Sequence, residues 1–182
     1  FLMKIKNVPL VVLSAKRLAN KGSKVIVATS THKSDDKLIK VLKNNKINYY
    51  RGSLKNVLSR YQAIAKNLSN HDYIIRATSD NILPDGLLIN KIVNRFSQIN
   101  KNYWYIDKKR HNFPKGLSLE IFKVKKILSL KKNLTASDKE HVTQAIYKNK
   151  KKYYQIFDNK IKFKKNFSSL NVSVDTIEDF KF

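Results

Sequence analysis

The sequence predicts an α/β domain, a mainly parallel sheet covered by helices. Three observations carry that expectation. β-Branched apolar runs recur at residues 24–29 and 72–77, stretches at helical spacing alternate with them, and both runs end in small polar residues. Alternation of this kind implies parallel strands buried under helices on both faces. The chain has 182 residues, of which 42% are hydrophobic, enough for one domain around one core.

The elements follow in order. Residues 9–20 have apolar side chains at helical spacing, and Gly22 stands where a helix C-cap belongs. Residues 24–29 read as a strand buried on both faces. Ser34 reads as the N-cap of a second helix, with Asp35 and Asp36 in its first turn and Leu38, Ile39, Val41 and Leu42 on its apolar face. Residues 47–51 form a short strand stopped by Gly52 and Ser53. Leu54, Val57, Leu58, Tyr61 and Ile64 mark a third amphipathic helix. A second buried strand at 72–77 runs into Thr78, Ser79 and Asp80, and Pro84 opens the next helix.

Beyond residue 100 the pattern is less regular. Strands are expected at 103–106 and 117–122, the second alternating and half-exposed, with a turn at 112–116 between them. A short helix follows at 124–130. Ser137 and Glu140 have capping-box spacing ahead of a helical stretch at 141–146. Further strands are expected at 153–157 and 168–174. No repeat, linker or domain boundary interrupts residues 1–182, and the sheet is expected to be mixed.

Composition excludes several classes. There is no cysteine, which removes disulfides, thiolate nucleophiles and sulfur-bound zinc, and fits a reducing, cytoplasmic compartment. The longest apolar run, residues 8–13, is far below the roughly 20 residues that a spanning helix needs. The opening Phe1, Leu2, Met3 and Lys4 read as a fragment without its natural N-terminus. The four glycines, at 22, 52, 86 and 116, are too far apart for a Walker loop or a dinucleotide fingerprint. Thirty-eight Lys and Arg against 13 Asp and Glu give a net charge of +25, which attracts anions such as nucleotides. Nucleic acid is a disfavoured partner. Only six of the basic residues are the arginines that fork onto phosphate and guanine, and the lysines are scattered rather than gathered in a stripe.

Ligands of open α/β sheets bind beyond the carboxyl ends of the strands. Two such ends are polar: residues 28–31 and 78–81. Asp80 reads equally as a hard oxygen ligand for Mg²⁺ on a triphosphate or as a helix cap near Pro84. Asp175, after Val172 and Val174, has the same two readings, because the Thr176, Glu178 and Asp179 that follow suit a terminal helix. The two together are the stronger signal, since nucleotide-bound Mg²⁺ takes one or two carboxylates. Arg51, Arg60 and Arg76 are candidates for phosphate or a sugar carboxylate. Arg60 also reads as half of a surface salt bridge; for Arg76, inside an apolar strand, that is less natural. His141, beside Glu140, reads as a helix-start residue or a base. His32, His71 and His111 have no ligand spacing and no assigned role.

Several segments together resemble one family. Residues 25–30, Ser34-Asp35-Asp36, Tyr50-Arg51-Gly52-Ser53 and Val57-Leu58-Ser59-Arg60-Tyr61 resemble the spore-coat polysaccharide cytidylyltransferase-like proteins. These are relatives of the CMP-KDO and CMP-acylneuraminate synthetases. Arg76-Ala77-Thr78-Ser79-Asp80 is similar to their Arg-x-Thr-Gly-Asp strand end. Residues 113–122 are similar to their Tyr-Pro-Asp-Gly-Leu-Asp-Val-Glu-Val-Phe segment, and residues 137–143 and 174–180 complete the set in order. The resemblance covers nearly the whole chain.

It implies a three-layer α/β/α nucleotide-diphospho-sugar transferase fold, glycosyltransferase-A-like, with a mixed, mainly parallel sheet. Residues 1–182 would be a single nucleotidyltransferase domain lacking its N-terminal strand and the basic Arg-x-x-x-Lys phosphate loop. The implied reaction transfers CMP from CTP to a sugar or sugar acid for surface polysaccharide biosynthesis and releases pyrophosphate, with Mg²⁺ as cofactor. By the same resemblance Asp80 and Asp175 bind the metal and form the catalytic set with Arg76. Thr29, Ser30, Arg60, Thr78 and Ser79 lie along the nucleotide, and Glu120, Glu140 and His141 lie nearer the sugar. A homodimer is compatible with it. Two departures stand out: Ser79 replaces the family's Gly, and Asn81 and Ile82 replace its Cys-Pro or Glu-Pro. The alternative expectation is a catalytically inactive fragment, or a basic anion- or nucleic-acid-binding protein on the same fold.

Overall fold

A computed structural model of the chain describes residues 2–99, 101–106, 111–148 and 161–181. The chain divides into two compact units: Phe1–Val25, Ile75–Ile121 and Gln155–Phe182 form the first, and Ile26–Ile74 with Phe122–Tyr154 form the second.

In the first unit, β1 (Lys4–Ile5) and β2 (Val8–Pro9) pair antiparallel about Lys6 and Asn7, both at positive φ. α1 (Leu10–Ala19) starts directly after Pro9 and buries Leu10, Val11, Val12 and Ala15. It packs on α4 (Gly86–Gln98), whose apolar face is Ile89, Ile92 and Phe96. That contact needs Gly86: a Cβ there would collide with the Asn20 carbonyl. β6 (Tyr103–Ile106) and β5 (Tyr73–Arg76) flank β7 (Leu119–Lys123) in a three-stranded sheet, and β5 and β7 each contribute residues to both units. Trp104, His111 and Phe113 form a buried aromatic group against which Phe163 stacks. α8 (Ile177–Lys181) lies near the C-terminus.

In the second unit, β3 (Val27–Ser30) pairs parallel with β4 (Tyr49–Gly52), in register from Val27 opposite Tyr49 to Ser30 opposite Gly52. A short 3₁₀ turn, Lys33–Asp35, leads into α2 (Asp36–Asn44). α3 (Val57–Ala65), capped by the Asn56 side chain, packs on α5 (Val124–Leu128) and α6 (Ala136–Glu140). The Gln62 amide fixes that packing by donating to the carbonyls of Ile127 and Leu130 at 3.1 and 2.7 Å. α7 (Gln144–Tyr147) completes the unit.

The α/β class is the expected one, but the hydrogen-bonded strands fall into ladders of two, two and three strands among the described residues. Strand lengths follow their partners rather than the apolar runs. The run at 24–29 gives a strand only where β4 can pair with it, so β3 starts at Val27, and its Val27 and Ala28 are half-buried rather than enclosed on both faces. β5 is likewise half-buried along its length. β7 reverses the expectation of a half-exposed strand: Leu119, Glu120, Ile121 and Phe122 are all buried, because β7 is the central strand of its ladder.

The caps also differ from those expected. Asp85, not Pro84, begins α4, its Oδ1 accepting from Leu88 N at 3.0 Å. His32 rather than Ser34 caps the 3₁₀ turn. The capping box of α6 is Thr135 with Asp138, so Ser137 falls inside the helix. The Lys148 ammonium and the Thr135 donors hold the Asp138 carboxyl down at about 2. Asn20 rather than Gly22 is the C-cap of α1, although Gly22 has the positive φ expected of it. Residues 168–174 form isolated bridges, Lys115 with Asn171 and Asn81 with Ser173, instead of a strand. The strand expected at 153–157 lies outside the described residues.

Candidate active site

Asp80 closes a turn in which Asn81 N donates to Thr78 O at 3.1 Å. The following bridge from Asn81 to Ser173 and the bond from Val174 N to Asp80 O, 2.9 Å, draw the 78–81 turn against the 173–175 segment. The two candidate metal carboxylates are therefore brought together: the Asp80 carboxyl lies in hydrogen-bonding reach of Asp175. Neither serves as a helix cap. α4 is capped by Asp85, and α8 by Thr176, whose Oγ1 accepts from Asp179 N at 3.1 Å while Asp179 Oδ2 accepts from the backbone of Asp175 and Thr176.

Asp175 has two further partners. Lys115 Nζ lies 2.6 Å from its Oδ2, and Ser173 Oγ donates to the same oxygen at 3.0 Å. Lys115 first, then Ser173, pull the Asp175 carboxyl below its ordinary range, and Asp175 in turn raises the Lys115 ammonium. Lys115 is placed by its backbone. Its N–H donates to Leu170 O and its carbonyl accepts from Val172 N, both at 2.9 Å. Gly116, at φ +98, makes that approach possible, since a Cβ there would come within 2.6 Å of Ser173 N.

Arg76 and Glu120 belong to one cluster in the same unit. Arg76 Nη1 donates to Glu120 Oε2 at 2.7 Å, and Tyr103 Oη donates to Glu120 Oε1 at 2.7 Å. Glu120 stands on the central strand, so a donor from each flanking strand satisfies it. Thr78 and Ser79 are half-buried in the Asp80 turn.

In the second unit the end of β3 is internally satisfied. Thr29 and Ser30 are buried, and both hydroxyls donate to Asp35 Oδ2 at 2.6 Å, joined by Ser30 N at 2.9 Å. Burial pushes the Asp35 carboxyl up, but the Ser30 and Thr29 donors outweigh it and hold the group at about 2. Arg60 is buried, and its guanidinium donates to the carbonyls of Ser53, Leu54 and Ala28 at 2.8, 3.2 and 3.4 Å. Burial lowers its pKa from the ordinary value while Asp35 opposes the change. Arg51 donates to Ser30 O and to Asp36 Oδ1 at 2.9 and 2.7 Å. Arg51 thus braces the loop after β3, while Arg60 ties the loop after β4 to β3. Glu140 and His141 are exposed at the end of α6, where His141 is the C-cap. Val142 beside them is fully buried at φ +55, a strained conformation for a β-branched residue.

Three residues of these clusters carry no assignment from sequence: Lys115, Asp35 and Tyr103. Lys115 was readable in principle, because it stands at the Asp of the Tyr-Pro-Asp-Gly segment to which residues 113–122 are similar. In sequence Asp35 reads only as a first-turn carboxylate, and nothing in the spacing connects it back to Thr29. Nothing in the sequence pairs Tyr103 with Glu120.

The Asp80 and Asp175 carboxylates fit Mg²⁺, which prefers hard oxygen donors and keeps several waters when bound to a phosphate. No cluster of three or more His, Cys, Asp or Glu that could form a complete protein cage exists among the described residues. No helix among them is long and apolar enough to cross a membrane.

Comparisons with known proteins give the family and the fold. The sequence pattern of the family described as cytidylyltransferase matches residues 1–182. An uncharacterized protein of Methanocaldococcus jannaschii is 31% identical over 172 residues, which cover 94% of this chain and 68% of that one. The solved structure of a cytidylyltransferase from Leptospira borgpetersenii serovar Hardjo-bovis superposes with a TM-score of 0.84 at 24% identity, covering 98% of this chain and 75% of that chain, so the two share a nucleotidyltransferase-like fold. The chain belongs to the cytidylyltransferase family, and so with the nucleotidyltransferases that use CTP.

Proposed function

We propose that the protein transfers CMP from CTP to a sugar or sugar acid, with Mg²⁺ held by Asp80 and Asp175, and that the product feeds surface polysaccharide synthesis. The observation that carries this reading is the release of both carboxylates from the capping roles their sequence positions suggest, together with their approach to one another. Two carboxylates in contact repel unless a cation lies beside them, which suits them to a positively charged ligand. A cytoplasmic site of action belongs to the same proposal.

In the reaction, a sugar oxygen attacks the α-phosphorus of CTP in line. The new P–O bond forms as the bond to the β-phosphate breaks, pyrophosphate leaves, and an attacking hydroxyl gives up its proton to water. Bound Mg²⁺ supplies charge neutralisation at the phosphates. The chain's own part is positioning and charge placement, which is why the chemistry needs no nucleophilic side chain. Asp80 and Asp175 fix the point at which the metal-bound phosphates are held. Arg76, held on Glu120, keeps a cation in the catalytic set. Toward the nucleotide, Thr78 and Ser79 line the Asp80 turn, and Glu120 is assigned to the sugar.

The test is pyrophosphate release from CTP with a panel of sugars and sugar acids. Asp80→Asn keeps the shape of the side chain and removes its charge. It should lower release by about 10²-fold or more, the scale of losing a preorganised charge-stabilising group, with an unchanged melting temperature. Release at the unsubstituted rate would sink the proposal.

A further inference from the structure

The Lys115–Asp175 ion pair places a cation where a metal ligand should be open. Lys115 Nζ sits 2.6 Å from Asp175 Oδ2, and the Asp80 and Asp179 carboxylates also act on it electrostatically. Its backbone is fixed by the two hydrogen bonds to the 170–172 segment, but its side chain is about half exposed, at 49%. Exposed ion pairs contribute little to stability, so this pair opens at small cost. Lysine carries its charge on a flexible stem with rotatable donors, which lets the ammonium leave one oxygen for another.

The arginines among the described residues offer a contrast. Arg17, Arg51, Arg60, Arg76 and Arg95 each donate to a protein oxygen through a guanidinium group. The acceptors of Arg60 are backbone carbonyls, and that of Arg76 is a buried carboxylate, so neither can exchange cheaply. The partner of Lys115 is a carboxylate with its own competing ligand.

We propose that Lys115 is a resident counter-ion that guards the Asp80–Asp175 pair: it holds Asp175 while no nucleotide is present, and moves to a triphosphate oxygen when the nucleotide arrives with its metal. The inference rests on the metal reading of the two carboxylates above. Its consequence is order. Neutralising one carboxylate weakens the pair for a free divalent cation, whereas a metal–triphosphate complex brings both a cation for Asp175 and an anion for Lys115. The site thus selects the metal–nucleotide complex over the free metal.

The experiment titrates the 182-residue protein with Mn²⁺ alone, reading free Mn²⁺ by electron paramagnetic resonance, and then repeats the titration with CTP present. Lys115→Met removes the charge and keeps the stem. It should bind Mn²⁺ alone about tenfold more tightly than the parent, as expected for removing a unit charge beside a divalent ion under near-aqueous screening. It should also bind CTP with Mn²⁺ more weakly than the parent does. Lys115→Arg should behave as the parent, and Lys115→Gln should repeat the Met result should Met fold poorly. Equal affinity of parent and Met or Gln variants for Mn²⁺ alone would overturn the role of Lys115 while leaving the metal reading intact. Asp175→Asn distinguishes the two: if Mn²⁺ binding, with or without CTP, is the same in Asp175→Asn as in the parent, the carboxylate pair is not the metal site and both readings fall.

Discussion

Gly116 is the position on which the candidate site depends most directly. Gly116→Ala adds one methyl group in a left-handed conformation, φ +98. The conformation alone costs an L-residue about 1 kcal/mol. The added Cβ would also meet Ser173 N at 2.6 Å, Val172 C at 2.7 Å and Val172 O at 2.9 Å, all backbone atoms that cannot swing aside. Relief requires the 172–173 segment to move from residue 115. That strains the bonds from Val172 N to Lys115 O and from Lys115 N to Leu170 O, each worth about 1 kcal/mol net. The expected loss is therefore about 3 kcal/mol, a large share of the roughly 5–15 kcal/mol that holds a domain together. For a chain of this size it should appear as a fall in melting temperature on the order of 10 °C. Urea unfolding followed by circular dichroism measures it as a lower midpoint at an unchanged slope. Because the same segment carries Asp175, Mn²⁺ binding should weaken in parallel. A loss under about 1 kcal/mol with unaltered metal binding would refute the close approach of Gly116 to residues 172–173 and the placement of Asp175 that follows from it.

Asp35→Asn should destabilise the protein by about 1 kcal/mol at neutral pH, since a neutral amide replaces a carboxylate that accepts three donors and is partly screened by water. The folded carboxyl titrates at about 2 against an ordinary 3.8. Its contribution is thus fully present above about pH 4 and is lost as pH falls toward 2, so the acid limb of a stability–pH curve should flatten in the variant. Tyr103→Phe removes one buried donor to Glu120 and should cost about 1–2 kcal/mol in chemical denaturation. Glu120→Gln in the same background should then cost less than it does alone, because the two act on one hydrogen bond.

Residues whose role depends on local pattern were legible in the sequence. α1, α3 and α4 follow from apolar spacing, and the expected strand ends at 78–81 and 168–174 direct attention to Asp80 and Asp175. What the pattern could not give was set by tertiary pairing. β7 alternates in sequence yet is buried from Leu119 to Phe122, because Arg76 and Tyr103 from its two neighbours satisfy the Glu120 charge that made it look exposed. Ser34, Ser137 and Asp175 all carry side chains able to cap, but the cap is the residue at which the chain turns into the helix. That point is fixed by where the preceding segment ends, so His32, Thr135 and Thr176 do the capping instead.

That displacement of caps bears on the chemistry. The chain carries 25 more cations than anions, so a carboxylate has many basic residues within reach. Asp36, Glu120 and Asp138 each pair with one of them. Asp35 collects hydroxyls and a backbone N–H, while Asp85 and Asp179 close helix ends. Apart from Glu120, which holds Arg76 of the proposed catalytic set, these carboxylates have structural work, and their loss should show mainly as lost stability. Asp80 differs: its backbone carbonyl ties down Val174, and its carboxyl faces another carboxyl. No helix end rests on its carboxyl, so removing that charge should leave stability unchanged. A protein that melts no lower as Asp80→Asn but no longer releases pyrophosphate would separate the chemical role of this residue from every structural one. A lower melting point would instead place Asp80 among the structural carboxylates.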